Sequence, residues 1–534
     1  MRNIWCVLIL SIAGILQAQD ELPTGKIEVV KDFEVRLTET KKIRIVPLPV
    51  PVDSNVRHYD YQLIAPSPSI EYLTPEIKPL AINPERKPTC YPFYVKAGYG
   101  SPNAFQGKIS YDHVQNESFN WGLDLRHWNA NNKKIPLQKF SETQGRIDGT
   151  YMLNDNVQLD GYIDGQVEKV YFYGADPIPS NPESLRRVFN RYDARFELSK
   201  AYAPETSFRY KAIMQYMTDS DDLGSREKAL RIGGEAGSSL GSSAFPLGIK
   251  ILADLSTLKH SEDHTLNNLL IEPYFKWHSG ALAVNLGATV LLNKDNNEIL
   301  PEIDLTYTPS TSGFSLLAGW TGAVVKNNFQ FLSNYNPYIT TRLDEVNNMV
   351  SRRLYAGLKG GSGLLSYQLT ADYTRFSNMA FFLQDEDEEE QFVPVYDNGN
   401  YIGLEGSIRY EVIRHVVVRA SVFQRFYNPA HEDKPWHRPS LGVNGQVTYA
   451  GDDDQFHFSL LFNGENGLPY RTPGGTSLTL DPLIDLAIHG DYYFTPSLGA
   501  FFELNNLLGN KRERWVNYPG FGFNANVGVL WRLP

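Results

Sequence analysis

Residues with the chemistry to act are few and scattered along the chain. The densest group is Asp385-Glu386-Asp387-Glu388-Glu389-Glu390, a run of hard oxygen ligands of the kind that holds divalent cations. It lacks the glycine and the alternate-position ligands of a calcium loop, so it reads as a solvated charged loop. His260 and His264 have the four-residue spacing of a zinc pair. Between them stands Ser261-Glu262-Asp263, with the glutamate one place late for the zinc-protease motif, and the stretch is a polar connection where that motif needs a helix. Gly360-Gly361-Ser362-Gly363 has no following lysine or helix and reads as a turn, not a phosphate cradle. Gly474-Gly475, beside Pro473 and Tyr470, reads as a flexible loop with room to line a ligand mouth. Asp452-Asp453-Asp454 reads as a turn closed by local hydrogen bonds. Cys6 lies in the apolar core of a leader and Cys90 is the only other cysteine, which excludes an internal disulfide and a thiolate metal cluster. No Ser, His and Asp set is marked out. No catalytic, cofactor-binding or metal-binding residue is assigned, and an enzyme is not expected.

The elements that carry these residues have a regular pattern. Residues 1–19 read as a secretory signal: Arg2, an apolar core from Ile4 to Leu16, and a small-residue cleavage site at Leu16-Gln17-Ala18. No later apolar run is long enough for a membrane helix. Residues 20–91 are a leader with prolines at 23, 47, 49, 51, 66, 68, 75, 79, 84 and 88. Proline cannot donate to a sheet ladder, so extended segments suit this stretch better than a compact sheet. From Pro92 onward the chain alternates. Phe119, Trp121, Leu123 and Leu125 fall on one face of a strand and Asn120, Gly122, Asp124 and Arg126 on the other. Tyr192 to Leu198, Phe208 to Tyr216, Ile402 to Val412 and Phe523 to Leu533 repeat the pattern, and in the last of these Leu530 is the one apolar residue on the polar face. The segments run roughly nine to fourteen residues, enough for a tilted strand to cross a bilayer.

Connections alternate in length. Short turns are expected at 115–118, 154–156, 202–205, 242–245, 279–281, 309–313, 361–364, 413–415, 451–454 and 495–497. Longer, more polar ones are expected at 129–141, 173–187, 218–226, 259–267, 327–350, 376–399, 428–438, 466–479 and 510–521. That is the pattern of an outer-membrane barrel with short periplasmic turns and long outer loops. Laying strands between them gives about 22, an even number that puts both barrel ends on the periplasmic side. The 31 tyrosines and 28 phenylalanines suit aromatic girdles. The formal net charge of −11 argues against nucleic acid as a partner. The lumen faces carry both signs, among them Arg126, Asp148, Asp164, Arg191, Arg195, Glu197, Lys211, Glu405, Arg409, Glu411, Arg419, Asp485 and Glu503. Such charges are expected to pair and brace the wall, whereas a simple ion pore would favour one sign.

The carboxy-terminal stretch resembles a known family. Asn505-Asn506-Leu507-Leu508-Gly509-Asn510, then Trp515-Val516-Asn517-Tyr518-Pro519-Gly520, then an alternating strand with Trp531 near its end, is similar to the terminus of TonB-dependent outer-membrane receptors. The whole looks like a plugless, Bacteroidota-type barrel of that kind, since residues 20–91 are short and proline-rich beside the family's plug. The expectation is an all-β chain: signal peptide at 1–19, proline-rich periplasmic leader at 20–91, and an antiparallel transmembrane barrel at 92–534 in the outer membrane of a diderm bacterium. Outer-membrane lipid and lipopolysaccharide surround it, with other outer-membrane or periplasmic envelope proteins as partners. Without a plug, the expected role is a structural or partner subunit of an envelope complex. The alternative is a transporter or channel for a small nutrient. The leader or the outer loops are expected to occlude the lumen, because an empty barrel of this size would be a wide aqueous hole.

Overall fold

A computed structural model describes residues 91–533 apart from residues 117, 155, 201–207, 240–245, 261–262, 295–296, 310–312, 344, 452–454 and 511. The signal sequence, nearly all of the leader and the Asp452-Asp453-Asp454 turn lie outside the described residues.

Twenty-two strands form one antiparallel sheet that closes on itself. The first strand, Phe93–Ser101, pairs with Ala104–Asn116 on one side and with the last strand, Asn524–Leu533, on the other, from Phe93↔Leu533 to Ser101↔Ala525. Closure leaves no free edge, which is the condition for spanning a bilayer with strands. The alternation read from the sequence becomes the two faces of the wall. Val527, Val529, Trp531 and Leu533 are exposed on the last strand, while Asn526 and Leu530 are buried. Ile402, Leu404 and Ile408 are exposed on Phe392–Ile413, and Ile147, Ile163, Phe196, Met214, Leu354 and Phe426 continue the apolar band. In water each Å² of that band would cost about 25 cal/mol; against lipid the cost vanishes. Leu530 turns inward to pack with Tyr493, Phe501 and Tyr94. There Gly98 and Gly528 face each other across the seam, and a Cβ on either would strike the Phe501 ring.

One end has only short turns, for example between Asn116 and Phe119, Ser279 and Leu282, and Ile413 and Val416, while the other also has tight connections after Ser101, Lys259 and Asn293. The long connections 172–185, 328–346, 430–440, 467–482 and 506–523 lie at the other. Phe93 and Leu533 pair at the short-turn end, as an even strand count requires. The connections expected at 218–226 and 259–267 are shorter than read, because the strands run to Asp221 and Lys259 and resume at Arg226 and Asp263, and a third is not a loop at all. The stretch 376–399 is not an open polar loop, because Leu365–Gln384 continues for 20 residues and Phe392–Ile413 for 22, about twice what a bilayer crossing needs. The reason is the unbroken apolar run Met379-Ala380-Phe381-Phe382-Leu383. Phe381 and Phe382 point to opposite faces, yet both are 0% exposed. A strand buried on both faces loses its alternation and is easily mistaken for something else.

Candidate functional site

Buried apolar residues concentrate where the long connections meet. The largest cluster joins Val170, Phe189 and Leu258 near strand ends to Phe329, Leu332 and Ile339 of 328–346, Leu468 and Leu480 of 467–482, Trp515 and Tyr518 of 506–523, and Phe382 and Phe392 of the long hairpin. These segments leave the wall at widely separated strands, so their contacts cross the mouth of the barrel. Trp515 is the hub. Its ring meets those of Tyr335 at 5.8 Å, Phe382 at 5.2 Å and Phe392 at 5.3 Å, and stacks on His437 at 5.1 Å. Tyr338 stacks on Tyr518 at 3.7 Å, and Tyr173 meets Tyr518 edge-on at 4.9 Å. Such pairs each add about 0.5–1.5 kcal/mol to the burial of their area.

Polar latches hold these loops down. Arg187, wholly buried, donates to Asp221 at 2.7 Å and to the carbonyls of Pro337 and Ile339. Glu227 accepts from the Asn328 amide at 2.7 Å and the Gln330 N–H at 2.9 Å, at the start of the short helix Phe329–Tyr335. Asn328 in turn caps that helix, accepting from the Phe331 N–H at 3.1 Å. The loop beyond runs along the hairpin: Thr340 N–H donates to the Phe392 carbonyl at 2.8 Å and Phe392 N–H to the Tyr338 carbonyl at 3.0 Å. Loop 430–440 binds the hairpin's other strand, where His437 Nδ1–H donates to the Phe382 carbonyl at 2.9 Å and Arg438 donates to the Ala380 carbonyl at 2.7 and 3.0 Å. A carbonyl can only accept, so the His437 proton sits on Nδ1. Nε2 is buried without a hydrogen-bond partner. Burial, with a smaller contribution from the charge of Arg514, holds this imidazole down to about 4. Burial likewise raises the Tyr338 and Tyr518 phenols.

Beneath this lid lies a cavity of about 500 Å³. Tyr173, Tyr338, Trp515 and Tyr518 line it from the lid, and Phe423, Asn444 and Asn463 from the wall. Two lid cations reach wall carboxylates here. Arg512 lies 2.6 Å from Asp485; Arg514 pairs with Glu465 and donates to the Tyr335 hydroxyl at 3.2 Å. Flat aromatic faces beside forked donors and carboxylate acceptors suit the binding of a small polar solute, and among the described residues lining the cavity no nucleophile is paired with a base. A second cavity of about 900 Å³ shares Asn444 and Asn463 and continues down the wall.

The residues singled out from sequence fall elsewhere. Asp385–Glu390 forms the exposed hairpin tip, where the Asp385 carboxylate accepts from the N–H groups of Asp387 and Glu388 and shapes the turn. His260 lies in the tight connection after Lys259, and His264 is the second residue of Asp263–Ser279. Gly474-Gly475 sits at the tip of a small hairpin, Pro469–Arg471 with Ser477–Thr479, while Tyr470 packs against the lid. Lumen charges largely pair, as in Lys96–Glu503, Lys108–Asp124 and Arg195–Glu197–Lys211. Sequence reasoning missed Arg187, His437, Arg512 and Arg514. The available signal was aromatic: connections that merely met water would not carry Tyr173, Tyr335, Tyr338, Trp436, Trp515 and Tyr518.

No protein-family model matches this chain, and no curated protein matches its sequence. Solved structures share its fold. The pyoverdine receptor FpvA of Pseudomonas aeruginosa superposes with a TM-score of 0.64 at 12% identity, over 84% of this chain and 72% of that one. The FrpB iron transporter of Neisseria meningitidis gives 0.64 at 9%, over 83% and 82%. The ferric-catecholate import receptor Fiu of Escherichia coli K12 gives 0.63 at 9%, again over 83% and 82%. At such identities the likeness is one of fold. The described residues form a 22-stranded barrel like that of TonB-dependent receptors, as the carboxy-terminal resemblance implies.

Proposed function

We propose that this chain is an outer-membrane transporter for a small solute, whose outer loops form a lid that opens to admit it. The observation that carries the reading is the cavity under the lid, lined by aromatic rings and by the Arg512–Asp485 and Arg514–Glu465 pairs. Solved barrels of the same shape described as siderophore receptors and iron transporters add support. A structural subunit, the first expectation from sequence, leaves an aromatic lid over a polar cavity without a purpose. The exposed apolar band supports outer-membrane lipid and lipopolysaccharide as the surroundings of the wall. No catalytic step is assigned.

A lock on the lid tests this. In a Cys90→Ser background, Arg514→Cys and Glu465→Cys are joined on living cells by a bis-methanethiosulfonate linker, which forms a reducible disulfide to each thiol as sulfinate leaves. Their growth is compared, on media limiting in turn for carbon, phosphate and iron, with unlinked cells and cells lacking the chain. A transporter predicts that the locked chain reproduces the loss seen without it, and that reductant reverses this. Locked cells that grow like unlinked ones, where the missing chain costs growth, would favour the structural role.

A further inference from the structure

We propose that the lumen wall toward the short-turn end carries an anion-binding site, formed by Lys359, Arg409 and Arg419, for a solute bearing carboxylate or phosphate groups. Three strands supply it: Asn347–Ser362, Phe392–Ile413 and Val416–Pro429, with Leu365–Gln384 between the first two. Ile408 is exposed on the lipid side, so Arg409 faces the lumen, and strand pairing puts Arg419 directly opposite it. The same pairing sets Ser366 beside Arg409, Gln368 beside Lys359 and Gln446 beside Arg419.

Two independent observations point to a ligand. The first is the juxtaposition of like charges. Opposed cations on adjacent strands destabilise a sheet; where this lumen wall sets Lys96 opposite Lys108 each has its acid, Lys96 lying 2.5 Å from Glu503 and Lys108 3.0 Å from Asp124. Among the described residues, the side chains of Lys359, Arg409 and Arg419 have no carboxylate within 4.0 Å and no hydrogen-bond or ring partner. Glu411, two positions from Arg409 on the same face, pairs with none of them. The second is the cavity of about 900 Å³ that all three line, whose other polar lining is neutral, with no carboxylate among the described residues. The cavity under the lid differs, because there each arginine has its acid. An anion entering the lower cavity meets three uncommitted cations backed by amide and hydroxyl donors, the composition by which proteins select carboxylate and phosphate.

Calorimetry on the full chain in detergent tests the site, with citrate and inorganic phosphate as probes and trehalose and spermidine as controls. The two anions are expected to bind, more weakly as salt rises, and the controls not to. Arg409→Gln with Arg419→Gln should raise the citrate Kd roughly tenfold or more, and Lys359→Gln should raise it less. Arg146→Gln, which removes the partner of Asp148, should leave it unchanged. The glutamines relieve repulsion, so the variants should fold, which heat-modifiable migration on gels verifies. Failure of both anions to bind at low salt, or equal binding by the double variant, overturns the site. Because the readout is equilibrium binding, that failure leaves the transport reading standing, and a failure of transport leaves the site testable.

Discussion

Acid should loosen the lid through His437. In the closed lid its imidazole is buried between Trp515 and Phe392 and held to about 4; once the lid opens it returns to the ordinary 6.5. The closed state therefore binds fewer protons than the open one. Its contribution is whole above 6.5, is lost as pH falls from 6.5 toward 4, and changes no further below that. A fall of this size corresponds to ~3 kcal/mol, on the order of a hundredfold in the opening equilibrium. The assay is thiol labelling of Val516→Cys, buried in the lid, in a Cys90→Ser background. Its rate is divided by that of Ser477→Cys, exposed on the small hairpin, which cancels the pH dependence of the thiol itself. The ratio should climb steeply between pH 6.5 and 4. His437→Gln keeps a donor for the Phe382 carbonyl without a titrating charge, and should flatten the climb. Glu465 and Asp485 remain in both proteins, so any opening due to them appears equally in the two. Identical profiles in the variant and the parent would refute the reasoning.

Other perturbations have defined outcomes. Arg187→Met strands the buried Asp221 carboxylate and should cost about 3–5 kcal/mol in urea unfolding, most of it recovered by adding Asp221→Leu. Leu404→Arg or Ile408→Arg on the lipid face should cost about 2–4 kcal/mol on folding into bilayers near the midplane, whereas Glu405→Gln on the lumen face should cost far less. An epitope within 385–391 should be reachable on intact cells and one at 452–454 should not. Insertion at 380–384, where Phe381 and Phe382 are fully buried, should disrupt the lid.

The wall was legible because each strand states its own orientation. Leu404 and Glu405 declare opposite faces by polarity alone, and each short turn interrupts the pattern where two strands meet. The lid was not, because its arrangement depends on partners distant in the chain. Trp515 lies 133 residues from Phe382 in sequence yet 5.2 Å from it in space, and nothing local in Arg512-Glu513-Arg514 says that Asp485 and Glu465 will answer the arginines. Leu530 looked like a flaw in an alternating strand and is instead a contact of the inner cluster with Phe501. The missed hairpin extension had a local sign, the unbroken run from Met379 to Leu383, whose meaning depended on cover from both sides.

The central claim is that the outer loops close the mouth above the lumen. Asn463 lines both cavities beneath them, so Asn463→Cys, with Cys90→Ser, reports whether a bulky impermeant maleimide added outside intact cells can pass. The account predicts that this cysteine labels far more slowly than Ser477→Cys on the exposed hairpin. Adding Trp515→Ala, which removes about 3–5 kcal/mol of packing from the hub, should bring its rate close to that of the exposed site. Rapid labelling with the lid intact, or no gain when Trp515 is removed, would contradict it.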